Sequence, residues 1–258
     1  MIRHIAGIIP ISGIKSEINS PVGPALLPIS LNYLAIERSV IECAYAGCNT
    51  IWLVCDDDTK PLVRHAIGDY VYDPVYFNRT RARYPNEHRK LIKIYYVPVG
   101  ARFYKQKSVW LSILAGGLTS KKISAGMSKW LKPTSYYVSF PCGVYDPSCI
   151  QPYRSEISSG ESMSLSFENK SILTNDFLGA SFPPSTLDTI IKKYSHDRYN
   201  DQDIRIFEEV NKFKKIEIKT YNSIICWSTY LEALSQSLQK PALIPKNELN
   251  GIGVEDDV

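Results

Sequence analysis

The sequence predicts an α/β protein with a mostly parallel, Rossmann-like sheet and helices on both faces. Four short apolar runs read as buried strands: IAGIIPI (5–11), IWLVC (51–55), IKIYYVP (92–98) and SYYVSF (135–140). Stretches with helical spacing alternate with them, which is the signature of a parallel sheet with crossover connections. A loop rich in Gly, Ser, Pro and Asn follows the first run.

Taken in order, the first run leads into SGIKSEINSPVGP (12–24), which reads as a loop. Leu31, Leu34, Ile36, Val40, Ile41 and Ala44 then recur at helical spacing, and Gly47 is the expected stop. After the second run, Asp58 or Thr59 is the expected cap of a helix with Pro61 in its first turn. Residues 70–90 are irregular, aromatic and basic. A helical pattern covers about 107–131, with a break expected near Gly116 and Gly117. In the second half, 162–168 alternates in character, helices are expected at 184–194, 202–213 and 227–238, and 216–219 reads as a short strand. Residues 1–240 are read as one domain and 241–258 as an irregular C-terminal tail lying on the surface or disordered.

Composition bounds the rest. The chain has 258 residues with 44% hydrophobic and 22% charged residues, ordinary for a globular protein. A net charge of +4 does not by itself argue for nucleic acid. Six cysteines form no C-x-x-C pair, and no signal peptide is evident, so a reducing, cytoplasmic location is expected. No apolar run reaches the ~20 residues that span a bilayer. The four histidines show no ligand spacing. Neither Cys142 nor Cys149 has a visible base, and no nucleophile elbow is present.

In an open parallel sheet, ligands bind beyond the carboxyl ends of the strands. The loop after the first strand is therefore the first candidate site. Ser12, Gly13, Ser16 and Gly23 offer hydroxyl and backbone donors there, and Lys15 supplies charge. The same residues also suit an ordinary surface turn. Asp56, Asp57 and Asp58 directly follow the second strand. They would hold a divalent ion, or simply favour the positive end of a helix. In 77–93, Arg79, Arg81 and Arg83 alternate beside Phe77 and Tyr84. That pattern suits contact with RNA, an acidic protein or phosphates, or a solvated loop.

The order of these pieces resembles the sugar-phosphate nucleotidyltransferases. GPALLPI (23–29) is similar to the family's P-K-P-L-L-P-I segment, and it precedes a helix ending in Ala46-Gly47. SYYVSFPCGVYDP (135–147) resembles the strand that ends in the family's G-D motif. TNDFLGASFPPSTLDTI (174–190) and WSTYLEAL (227–234) resemble later segments. The resemblance covers about 1–238. It implies the fold that this family shares with related GT-A glycosyltransferases, a nucleoside triphosphate and a sugar phosphate as substrates, and Mg²⁺.

The departures are chemical. The arginine of the family's first motif is absent, and Lys15 is the nearest cation. Gly23 or Pro24 stands where a lysine is expected. The two metal aspartates fall near Cys142 or Gly143 and near Ser223, with Asp146 a possible substitute. Three readings stay open. One is nucleotidyl transfer to a sugar phosphate, with Lys15, Ser12 and Gly13 on the triphosphate and Asp146 or Asp56–Asp58 on Mg²⁺. The second is a catalytically degenerate binding or assembly module contacting partners through 77–93. The third is a metal-dependent glycosyltransferase using Asp56–Asp58.

Overall fold

A computed structural model describes residues 3–20, 22–76, 90–99, 108–127, 132–172, 176–194, 213–236, 238–241 and 243–244. The elements begin with β1 (Ile5–Pro10), a 3-10 turn (Pro24–Leu26), β2 (Pro28–Ser30), β3 (Tyr33–Leu34) and α1 (Ala35–Tyr45). Next come β4 (Thr50–Cys55), α2 (Lys60–Ile67), β5 (Tyr70–Tyr72), β6 (Leu91–Pro98) and α3 (Val109–Met127). Then follow β7 (Ser135–Val138), β8 (Gly143–Val144), a second 3-10 segment (Pro147–Tyr153) and α4 (Arg154–Ser159). The last are β9 (Met163–Phe167), β10 (Lys170–Ser171), β11 (Ala180–Phe182), α5 (Pro184–Tyr194), β12 (Lys214–Glu217), β13 (Asn222–Ser223) and α6 (Trp227–Ser235).

The four apolar runs pair in one sheet, as their pattern predicts. β1 is parallel to β4 and to β7, and β4 is parallel to β6. The order across the sheet is β10-β9-β11-β7-β1-β4-β6-β5, with β12 also on β9. The outer pairs are mixed: β5 runs antiparallel to β6, β11 to β7, and β10 to β9. Residues 70–72, read as irregular, are thus a short edge strand.

Both faces of the central strands are buried, which is why they read as continuous apolar runs rather than alternating ones. On β1, Ile5 and Ile9 face the layer that holds α1, while Ala6 and Ile8 face the layer that holds α3. On β4, Ile51 and Leu53 take the first side, and Trp52 and Val54 the second. Trp52 stacks on its cross-strand partner Tyr95, ring centroids 4.4 Å apart. Such a pair adds about 0.5–1.5 kcal/mol beyond its buried area.

Three details differ from the sequence-based expectation. Leu31 sits at the tip of the β2–β3 hairpin, 87% exposed, because Asn32 takes a left-handed turn (φ 53°) and α1 starts only at Ala35. α3 runs unbroken through Gly116 and Gly117. Those glycines are contact points: a Cβ at Gly116 would fall 2.8 Å from Ile8 Cγ2, and one at Gly117 2.8 Å from Leu187 Cδ2. Their missing side chains let α3 lie close on β1 and on α5. Finally, the segment after 240 is anchored where it is described. Leu243 is buried and its carbonyl accepts from Tyr72 N at the β5 edge. Among the described residues, no helix is long and apolar enough to cross a membrane.

His4 at the start of the sheet is expected to give the fold a pH dependence. It is buried, with Nε2 3.0 Å from Thr50 Oγ1. Burial, and then the charge of Lys90, lower its pKa. A histidine with a lowered folded-state pKa takes up fewer protons folded than unfolded. The stability is therefore full above the unfolded value of ~6.5 and declines as pH falls through it. The melting temperature is expected to drop between about pH 7 and pH 5, and His4→Gln to flatten that part of the profile. A slope unchanged by the substitution would assign it to other groups.

Candidate functional site

A cleft of about 180 Å³ opens at the carboxyl ends of β1 and β4. Ser12, Gly13, Gly23 and Asp56 line it, so the first loop and the first of the three aspartates are brought together. Ser12 Oγ donates to Asp56 Oδ1 at 2.6 Å. Ile11 N and Ser12 N both donate to Val54 O, which holds the loop against β4. Ser112 Oγ donates to Ser12 O at 2.8 Å and ties the loop to the first turn of α3. Gly13 has φ +88°, and a Cβ there would lie 2.6 Å from the carbonyl carbon of Ser108, so this position needs glycine on both counts.

The prolines that punctuate 20–29 shape the cleft's other wall. Pro24 opens the 3-10 turn and Pro28 opens β2. Leu27 O accepts from Ala35 N, and Pro28 O accepts from the Tyr230 hydroxyl at 2.8 Å. The run thus turns the chain back beneath the cleft and fastens it to α1 and α6.

The other predicted residues lie elsewhere. Lys15 is exposed and does not line the cleft. Ser16 is absorbed by the loop: its hydroxyl donates to Ile225 O at 2.9 Å and accepts from Ile18 N. Asp57 and Asp58 are exposed in the turn before α2. Asp146 caps the second 3-10 segment, accepting from Ser148 N at 2.9 Å and Ser148 Oγ at 2.8 Å. Arg79, Arg81 and Arg83 lie outside the described residues.

The two positions where the resemblance implies metal aspartates do meet. β13 pairs antiparallel with β8, which sets Ser223 opposite Gly143, and Ile224 N donates to Cys142 O at 3.0 Å. Their chemistry does not fit Mg²⁺, a hard cation that takes carboxylate and other oxygen ligands. Cys142 is buried and its thiol pKa is pushed up by that burial, Gly143 has no side chain, and the Ser223 hydroxyl is buried with no partner among the described residues. Among the described residues no group of three His, Cys, Asp or Glu side chains is placed to hold a metal ion.

Reading for motifs missed a buried polar network beside this pair. On α1, Arg38 and Glu42 are fully buried and 2.9 Å apart. Glu42 also accepts from Tyr137 at 2.5 Å, from Tyr145 at 2.8 Å and from Ser139. Arg38 Nη2 donates to Phe140 O at 2.7 Å, and its guanidinium lies over the Tyr145 ring. Burial, with Glu42's charge adding to it, raises the pKa of both tyrosines, so they remain donors. The network clamps 137–145, the strand end that leads into β8. The available signal was two opposite charges four residues apart in a helix that carries apolar residues on every side, Ala35, Ile36, Val40, Ile41, Cys43 and Ala44.

This architecture matches solved structures closely enough to define the fold. A Bacillus anthracis protein assigned as a glucose-1-phosphate thymidylyltransferase, in complex with sucrose, superposes with a TM-score of 0.53 at 10% identity, over 90% of this chain and 95% of that one. A UDP-glucose pyrophosphorylase complexed with UDP-glucose gives 0.56 at 14% identity, over 91% and 98%. A protein of Mycobacterium tuberculosis H37Rv gives 0.50 at 10% identity, over 91% and 99%. The chain has the Rossmann-like fold of the sugar-phosphate nucleotidyltransferases. No protein-family profile matches the sequence, and no curated protein matches it.

Proposed function

We propose that the protein binds a nucleotide or nucleotide sugar in the cleft between the first loop and Asp56 without catalysing Mg²⁺-dependent nucleotidyl transfer. The observation that carries this reading is the β8–β13 pair, with Gly143 beside Ser223 and no carboxylate on either. Phosphoryl-type transfer works mainly by neutralising charge that develops in the transition state. Losing one such group typically costs ~10²–10³ in rate, and here both carboxylates and the two motif cations are replaced. The cleft favours retained binding. Its loop is held by Val54, Ser112 and Ile225, and it lies where open sheets of this kind take ligands.

Thermal shift with the four nucleoside triphosphates and their diphosphate sugars, in Mg²⁺ and in chelator, tests this. A ligand at ~100 times its dissociation constant stabilises by roughly 2.7 kcal/mol. The expected result is a shift that is the same with and without Mg²⁺, and pyrophosphate release no faster than in a protein-free control. Turnover that requires Mg²⁺ and a sugar phosphate would overturn it.

A further inference from the structure

We propose that Asp56 makes the cleft selective for a guanine base; this rests on the reading of the cleft as a nucleotide site and assigns its ligand class. Four observations carry it. Asp56 is the one ionisable side chain among the described residues that line the cleft. Neither lysine nor arginine lines it with them. A carboxylate repels a phosphate, so the ligand part that meets Asp56 must be neutral or cationic and must donate hydrogen bonds. The walls are largely apolar, with Ile11, Ile14, Val22, Leu26 and Val63 facing the space. They suit a flat ring that loses little by leaving water. A volume of about 180 Å³ admits a base rather than a whole nucleotide.

The carboxylate also has a defined free capacity. Ser12 Oγ donates to Oδ1 at 2.6 Å, and among the described residues Oδ1 is the one carboxylate oxygen so engaged. A carboxylate only accepts, through two oxygens with about four lone-pair sites. What remains is a planar, two-oxygen edge held in orientation by the serine. Guanine presents two adjacent donors in the same spacing, N1–H and N2–H. Adenine and cytosine each set one amino donor beside a ring-nitrogen acceptor, and uracil sets its N3–H between two carbonyls. In each of these an acceptor faces a carboxylate oxygen. The mismatch leaves polar atoms unpaired in a partly desolvated site, which is the strongest source of discrimination between similar ligands.

Calorimetric titration of the full chain with GDP, IDP, ADP, CDP, UDP and XDP tests the assignment. GDP is expected to bind about 10- to 100-fold tighter than ADP, CDP or UDP, the discrimination a two-bond contact gives. IDP, which lacks the 2-amino group, is expected to fall between. Asp56→Asn keeps an acceptor for Ser12 and puts an amide donor on the same edge. It is expected to lose the preference for GDP and to favour XDP, whose 2-position is a carbonyl. The gain for XDP separates a changed preference from a damaged fold. Equal binding of all six diphosphates overturns the assignment while leaving the cleft a nucleotide site. Failure of all six to bind overturns the cleft reading and the assignment with it. A GDP preference unchanged in Asp56→Asn overturns the role of Asp56.

Discussion

Glu42→Ala is expected to destabilise the protein by about 3–5 kcal/mol. The substitution leaves the fully buried Arg38 guanidinium without its counter-charge, and three hydroxyls, on Tyr137, Ser139 and Tyr145, without their acceptor. An uncompensated buried charge costs far more than the intact pair contributes. In a chain of this size, a loss of that order lowers the melting temperature by about 10 °C. Glu42→Gln, which keeps an acceptor oxygen but not the charge, is expected to lose less. Gly179 gives a second measure of the same network. A Cβ there would lie 2.4 Å from Glu42 Oε1 and 2.5 Å from the Tyr137 hydroxyl. Gly179→Ala should therefore cost less in the Glu42→Ala background than in the wild type, a non-additivity that denaturant midpoints can read. A loss below ~1 kcal/mol for Glu42→Ala would show that water reaches the pair.

Gly143→Ala is expected to cost about 3 kcal/mol or more. Its Cβ would fall 2.0 Å from the carbonyl oxygen of Phe177. Extra atoms in a packed site usually cost 1–3 kcal/mol because a side chain swings aside. Here the obstacle is backbone, so the 176–179 segment itself must move, and with it the Phe177 N–H bond to the Tyr221 hydroxyl. Gly126→Ala is the matched control. It lies in α3 with nothing within 4 Å of its Cβ, so the better helix former should gain up to ~1 kcal/mol. If Gly143→Ala behaves like Gly126→Ala, the close approach of 143 to 177 is absent in solution.

Much of the fold was legible because of one physical rule. Strands buried on both faces must be apolar throughout, so β1, β4 and β7 announce themselves, while β6, with Leu91, Lys93 and Pro98 exposed, is legible from its β-branched and aromatic residues. The short edge strand β5 carries no such signature, because one side of it faces solvent. Gly116 and Gly117 misled for a related reason: the same residue type marks a break or a tight contact, and only the partner surface, Ile8 and Leu187, tells which. The candidate site was half legible. Ser12, Gly13 and Asp56 follow strands whose ends a parallel sheet gathers together, so topology alone brings them near. Lys15 and Asp146 could not be sorted from the sequence, since a lysine one loop residue away points to solvent and a turn-capping aspartate has the same composition as a metal ligand. Arg38 and Glu42 were invisible as a pair until α1 proved buried all round.

The bonds from Ser16 and Glu17 to Ile225 also set a timetable for the molecule. They join residues 209 positions apart in the case of Ser16. At an elongation rate of about 5–20 residues per second, the stretch between them takes roughly 10–40 s to be synthesised. Throughout that interval the amino-terminal loop has been made but its clasp has not. The loop is therefore fastened in two stages: its bonds to Val54 and Ser112 need only the first half of the chain, and the tie to Ile225 comes last.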